Sequence, residues 1–224
     1  MSIIEMKDVS YSYRNKYQTI EAVKNVSCTF DTGKLYAIVG PSGSGKTTLL
    51  SLLAGLDLPI KGDIYVNGEA MSSLNRDKYR SGTTSVVYQS FNLFPLLTAL
   101  ENVMYPMEMQ KKPKREAAET AKKLLSDVGL GEKILRQRPL MMSGGEQQRV
   151  AIARALAVGG KIMLADEPTG NLDTANGDIV AELLKKLAHE KDYAVIIITH
   201  NKELAQQADV IYTMHDGWLA DGKE

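Results

Sequence analysis

Gly40-Pro41-Ser42-Gly43-Ser44-Gly45-Lys46-Thr47, set directly behind the apolar run Leu35-Tyr36-Ala37-Ile38-Val39, decides how this chain folds. The octet fits the phosphate-loop pattern G-x-x-x-x-G-K-[ST] at every fixed position. The glycines let the backbone curl around an anion with its N–H groups turned inward, where a side chain would block the approach. A helix starting near Lys46 adds the positive end of its dipole. Lys46 is placed to reach the β- and γ-phosphates of a nucleoside triphosphate, and the Thr47 hydroxyl to ligate Mg²⁺. Ser42, Gly43, Ser44, Gly45 and Thr48 complete the expected cradle.

Outward from this loop, β patterns come first. Val9, Tyr11 and Tyr13 alternate with polar residues, as in a strand covered on one face. The polar stretch 14–21 reads as a hairpin loop, 22–30 as a second strand, and Ile64-Tyr65-Val66 runs into the hairpin dipeptide Asn67-Gly68. Residues 83–88 form a short β run ending at Gln89. The texture then turns helical, with Ala117, Ala118, Ala121, Leu124, Leu125 and Val128 at helical spacing before Gly129. Buried strands are expected at 161–165 and 194–198, with an amphipathic helix at 179–187 between them. Such alternation argues for a parallel sheet with helices on both faces. The expectation is an α/β fold: a P-loop NTPase core with a mostly parallel sheet, an N-terminal antiparallel β portion and an inserted helical subdomain. One domain would span 1–224, with 1–89 and 159–224 as the core and about 90–158 as the insertion.

Composition narrows the setting. The 224 residues carry 27 basic and 27 acidic side chains, so no polyelectrolyte partner is implied and no nucleic acid is expected. The single cysteine, Cys28, has no internal partner, which suits a reducing compartment, and its strand context reads as a small buried residue. No run approaches the ~20 apolar residues of a membrane span, and the N-terminal residues carry no leader signature. The basic run Lys111-Lys-Pro-Lys-Arg115 reads as a solvated loop. His189 and His215 read as surface residues.

Two further stretches carry chemistry. Asp166 and Glu167 end the apolar run before them, where ligands of parallel sheets sit. Successive strand residues point to opposite sides, so the two carboxylates are expected to have different tasks. Asp166 suits the Mg²⁺ shell, and Glu167 suits orientation and deprotonation of an attacking water. Ser143-Gly144-Gly145-Glu146-Gln147-Gln148-Arg149 opens a helix, with Ser143 as N-cap and Glu146 closing a capping box. Two adjacent glycines near a helix start are costly unless something approaches closely, and a helix N-terminus is an anion site. One chain has no need of two triphosphate sites, so this loop is expected to cap the γ-phosphate held by another copy.

These motifs, with Gln89, Asn171-Leu172-Asp173 and Thr199-His200, occur in the order of an ABC-transporter ATPase subunit, which the whole chain resembles. Ala165-Asp-Glu-Pro-Thr-Gly-Asn-Leu-Asp173 is most similar to the branch of macrolide-export, lipoprotein-release, cell-division and antimicrobial-peptide-resistance ATPases. The resemblance implies ATP and Mg²⁺ as cofactors, an ATP-dependent homodimer, and an integral-membrane permease partner. It places the chain in the cytoplasm, peripheral on the inner face of the membrane. It further implies that Ser143, Gly144 and Gly145 cap the partner copy's nucleotide, that Gln89 touches Mg²⁺ or the water, and that Asp173 lies at the dimer seam. His200 would contact the γ-phosphate, and Tyr13, Tyr11 or Tyr17 would stack on adenine, with Tyr13 fitting the family spacing best. Met142 and Glu146 stand where the family more often has Leu and Gln, and neither change removes a phosphate contact. Phe91-Asn-Leu-Phe-Pro-Leu-Leu97 is a candidate permease-docking surface or core packing.

Two rival readings remain open at this stage. A soluble ABC-type ATPase of DNA repair or translation would usually carry two fused units or a long coiled coil, and neither is present. A nucleotide switch that barely hydrolyses is opposed by the presence of Glu167 and His200.

Overall fold

The computed structural model describes residues 2–14 and 17–221. The strands are β1 (Ser2–Arg14), β2 (Thr19–Asp31), β3 (Lys34–Val39), β4 (Lys61–Val66), β5 (Glu69–Ala70), β6 (Thr84–Val87), β7 (Ile162–Asp166), β8 (Ala194–Ile198), β9 (Val210–His215) and β10 (Trp218–Asp221). The α-helices are α1 (Lys46–Leu53), α2 (Arg76–Gly82), α3 (Ala99–Met109), α4 (Lys114–Asp127), α5 (Gly144–Leu156), α6 (Thr174–Lys191) and α7 (Lys202–Gln206). A four-stranded antiparallel sheet runs β2-β1-β4-β5, and a six-stranded sheet runs β10-β9-β3-β8-β7-β6. In the larger sheet β3, β6, β7, β8 and β9 are parallel and only β10 runs against its neighbour.

The strand period sorts the core into two layers. Leu35 and Ala37 of β3 enter one cluster, which they share with Val103, Ala121, Leu125, Val150, Val180 and Leu184 of the helices. Tyr36 and Ile38 enter the other, which is closed by Leu49, Leu52 and Leu53 of α1 and by Ile4, Met6, Phe30 and Ile64 of the antiparallel sheet. β7 and β8 split their residues between the same two layers. Each such aliphatic side chain contributes roughly 1.5–3 kcal/mol by leaving water. The central strands are therefore apolar on both faces, as the sequence runs predict.

Several boundaries differ from the sequence reading. The first hairpin extends to Arg14 and resumes at Thr19, because Arg14 pairs with Thr19 across the ladder; residues 15 and 16 of the expected loop lie outside the described residues. The 90–158 region is irregular up to Thr98, whose side chain caps α3. The helix expected at 179–187 begins at Thr174, because Asp173 caps it. α2, α7, β9 and β10 are too short or too mixed in pattern to read from spacing. Asn67 and Gly68 take φ of 51° and 83°, the paired positive values of a tight hairpin. Among the described residues, no helix is long and apolar enough to cross a membrane.

Candidate functional site

The carboxyl ends of the parallel strands open into one cleft of about 800 Å³. It brings together Tyr13, Ser42, Gly43, Gly45, Lys46, Thr47, Thr48, Gln89, Asp166, Glu167 and His200. Residues more than a hundred positions apart thus meet because β3, β7 and β8 are adjacent and in register, with Asp166 opposite Ile198 and Ile38 opposite the same residue.

The phosphate loop is shaped for an anion. Gly45, with φ of 107°, is the N-cap of α1, and no side chain caps the helix. Its first N–H groups therefore face the cleft without an internal acceptor from a capping side chain. Lys46 Nζ donates to the carbonyls of Gly40 at 2.8 Å and Pro41 at 2.9 Å. The glycines serve a purpose the sequence reading did not assign. A Cβ at Gly40 would run into the Met214 carbonyl oxygen on β9, and one at Gly45 into the Ala22 carbonyl oxygen on β2. Only at Gly43 is the space open. Close packing of the chain on its own loop, rather than ligand approach alone, thus requires Gly40 and Gly45.

Glu167 is the most constrained acid of the site. Its φ is 47°, so its carboxylate is aimed by a left-handed turn and not by strand alternation as expected. That conformation costs about 1–2 kcal/mol for a residue with a Cβ. Its carboxylate accepts from the His200 backbone N–H at 3.0 Å and from the Thr199 hydroxyl at 3.3 Å, and it meets His200 Nδ1 at 2.7 Å. Next to it, burial and then the Glu167 charge push the Asp166 carboxyl above the ordinary range, while Lys46 pulls the other way. Gln89 is exposed and tied to Asn171, whose amide donates to the Gln89 carbonyl at 2.9 Å.

Tyr13 lines the cleft, half exposed, with its hydroxyl 3.2 Å from Thr48 Oγ1 and its ring edge-on to Tyr11. Tyr11 and Tyr17 are not among the lining residues. Gly40 and Ser44 belong to the loop but do not line the cleft, and Ser44 is buried. Ser143, Gly144, Gly145 and Asp173 are not brought to it at all. Ser143 caps α5, its hydroxyl and backbone N–H both donating to Glu146. Asp173 accepts from Asn176 N–H at 2.9 Å. A Cβ at Gly145 would strike the Asn176 side chain, so that glycine has a reason within the chain. Gly144 would make only ordinary contacts.

The sequence reading missed Ala22 and Lys24 on β2 and the turn Asp216-Gly217, which complete the wall. Gly217 N–H donates to the Ser44 carbonyl at 2.9 Å and the Gly217 carbonyl accepts from Lys24 N–H at 2.8 Å, tying the phosphate loop to both sheets. The signal was the hairpin dipeptide Asp-Gly before Trp218. Cys28 is only partly buried as a residue, but desolvation pushes its thiol up to about 12, which disfavours the nucleophilic thiolate.

The family profile described as ABC transporter matches residues 23–170, from the second strand through the Asp166-Glu167 segment. The chain belongs to the ABC transporter ATPase family. The lipoprotein-releasing system ATP-binding protein LolD of Shewanella frigidimarina is 41% identical over 221 residues, covering 97% of this chain and 92% of that protein. The macrolide export ATP-binding/permease protein MacB of Brucella melitensis is 42% identical over 97% of this chain, which corresponds to 34% of MacB. The dimeric structure of the ABC transporter cassette MJ0796 superposes with a TM-score of 0.88 at 37% identity, covering 99% of both chains. The same cassette has been solved as a dimer in a post-hydrolysis state bound to ADP and Pi, again with a TM-score of 0.88. This cassette is thus an ATP-binding and ATP-hydrolysing unit.

Proposed function

We propose that two copies of this cassette close head to tail on ATP and drive a separate membrane permease, with the residues of the cleft in the following roles. Lys46 and the loop N–H groups hold the β- and γ-phosphates; a phosphate oxygen is a stronger acceptor for Lys46 than the carbonyls that hold it. Thr47, Gln89 and Asp166 all line the cleft and offer hard oxygen donors, and this fits Mg²⁺ shared with phosphates. When bound, that ion neutralises charge developing on the transferred phosphoryl group. Glu167 accepts the proton of the attacking water, and His200 holds that carboxylate and reaches the γ-phosphate. Tyr13 stacks on the base.

One observation carries the dimer. Of the assigned groups outside the phosphate loop, the cleft gathers all except Ser143, Gly144, Gly145 and Asp173, which sit elsewhere on the starts of α5 and α6. A second copy supplies them, and the dimeric form of the similar cassette supports this. Light scattering on the Glu167→Gln protein tests it: ATP shifts the species from monomer to dimer, and a protein that binds ATP yet stays monomeric at high concentration overturns the reading.

The permease site divides the segment 91–97. Phe91 and Leu93 pack on the core, whereas Phe94 and Leu96 are 40% and 77% exposed. Phe94 lies on an apolar groove of about 320 Å³ with Leu56, Tyr88, Tyr105 and Met109. We assign this groove to a permease segment, which would place the cassette on the cytoplasmic face of a membrane. The relatives named above favour an exporter, or a system transmitting force across the envelope, for lipophilic or peptide substrates.

A further inference from the structure

Gln89 sits in a tight turn whose far end is held by a residue of another element. The turn closes where Phe91 N–H donates to the Tyr88 carbonyl at 3.1 Å. The next two residues, Phe91 and Asn92, both take left-handed φ, 60° and 49°. Neither is glycine, and a consecutive pair of this kind persists only when its surroundings fix it. Arg154 of α5 does so. Its Nη1 donates to the Asn92 carbonyl at 2.7 Å and its Nη2 to the Phe91 carbonyl at 3.0 Å. The guanidinium also lies 5.8 Å from the Phe94 ring centre, on the wall of the apolar groove. A little further along, buried Asn102 locks the same loop through the Phe94, Leu97 and Thr98 backbone. β6 fixes the other end of the turn and the Asn171 amide holds the Gln89 carbonyl at 2.9 Å, while Arg154, on the helix that Ser143 opens, holds the two carbonyls that follow the turn.

We propose that Arg154 is a positioning residue for Gln89: by pinning the two left-handed carbonyls behind the turn, its planar fork fixes the Gln89 amide relative to Mg²⁺ and the attacking water. A lysine can reach the same carbonyls but has no rigid planar fork to fix their orientation. The inference rests on the role assigned to Gln89 above.

The test is a double-mutant cycle on the full chain, read by steady-state ATPase, Mg²⁺ half-saturation, ATP affinity in chelator and thermal midpoint. Arg154→Met lowers kcat on the order of tenfold, within what a misplaced group costs. It raises the Mg²⁺ half-saturation several-fold and leaves metal-free ATP affinity unchanged. In the Gln89→Ala background the same change costs less than about twofold, because the group it positions is gone. Arg154→Lys gives an intermediate loss and carries the cycle if the Met variant does not fold. An undiminished tenfold loss in the Gln89→Ala background overturns the inference, as does a lowered melting point with wild-type kcat and Mg²⁺ dependence. If Gln89→Ala itself turns over and responds to Mg²⁺ like wild type, the role of Gln89 fails instead.

Discussion

Glu167 and His200 are joined twice, once by the His200 backbone N–H at 3.0 Å and once through ring Nδ1 at 2.7 Å, both to the same carboxylate oxygen. The backbone contact survives any change of the ring, so the two side chains separate by mutation. Glu167→Gln keeps the turn and the ATP contacts but cannot accept a proton. Turnover falls by ~10²–10⁴ with ATP affinity unchanged. His200→Ala leaves the base in place through the Thr199 and backbone donors and lowers kcat less than Glu167→Gln does. Steady-state ATPase with parallel nucleotide titration checks the order; equal turnover in Glu167→Gln and wild type removes Glu167 from the chemistry.

Two glycines of one loop should respond differently. At Gly40 a Cβ meets the Met214 carbonyl oxygen, a backbone atom held in β9. Gly40→Ala must therefore move the loop or the strand and costs ~2–4 kcal/mol. At Gly43 nothing lies within 4 Å of the same position, and only the φ of 80° is at stake. Gly43→Ala costs ~1–2 kcal/mol. Denaturant unfolding of the two variants checks the order, and an equal or reversed effect shows that β9 yields.

What was legible follows the range of the signals. The phosphate loop, the Ser143 capping box and the carboxylate pair are local patterns, and the structure places each on the expected element. The buried runs of β3, β7 and β8 announced a sheet covered on both faces. Why Gly40, Gly45 and Gly145 are glycines was not legible, because Met214, Ala22 and Asn176 approach from distant elements. The same holds for the Asp216-Gly217 wall and for Arg154, whose sequence setting is an ordinary helix. The reason offered for the aim of Glu167 was also local, and the left-handed turn at that residue replaced it.

Asp209 offers a pH dependence away from the cleft. Burial raises its carboxyl, but the Leu35 N–H at 2.7 Å and His189 outweigh it and hold it below the ordinary range. A carboxyl lowered in the folded state adds stability that is complete above its unfolded value and is lost as pH falls through the folded one. That window lies below about pH 4. The side chain is about a third exposed, so after solvent screening Asp209→Asn costs only ~1 kcal/mol near neutrality. The difference from wild type narrows as the pH drops below 4. Thermal melts at pH 7 and in acid check both signs; a gap that widens in acid means that another group dominates.

The proposed composite site makes the sharpest demand, because it requires complementation between two dead proteins. Lys46→Ala removes the cation facing the phosphates but leaves Ser143, Gly144 and Gly145 intact at the start of α5. Ser143→Arg spoils that helix start, with its capping hydroxyl, but leaves the phosphate loop intact. In either homodimer both sites carry one defect, so neither variant hydrolyses ATP at more than about a hundredth of the wild-type rate, as loss of a phosphate-positioning group commonly costs. In the mixed dimer one site combines the sound loop of one copy with the sound helix start of the other, while the second site holds both defects. Mixing the proteins therefore restores part of the activity, and the restored fraction rises and falls with the mixing ratio. Fluorescent-analogue titration separates the variants in advance: Lys46→Ala binds weakly, and Ser143→Arg binds as the wild-type monomer does. Should Ser143→Arg hydrolyse ATP normally by itself, the start of α5 caps no nucleotide, and the closing of two copies around ATP has to be explained by other residues.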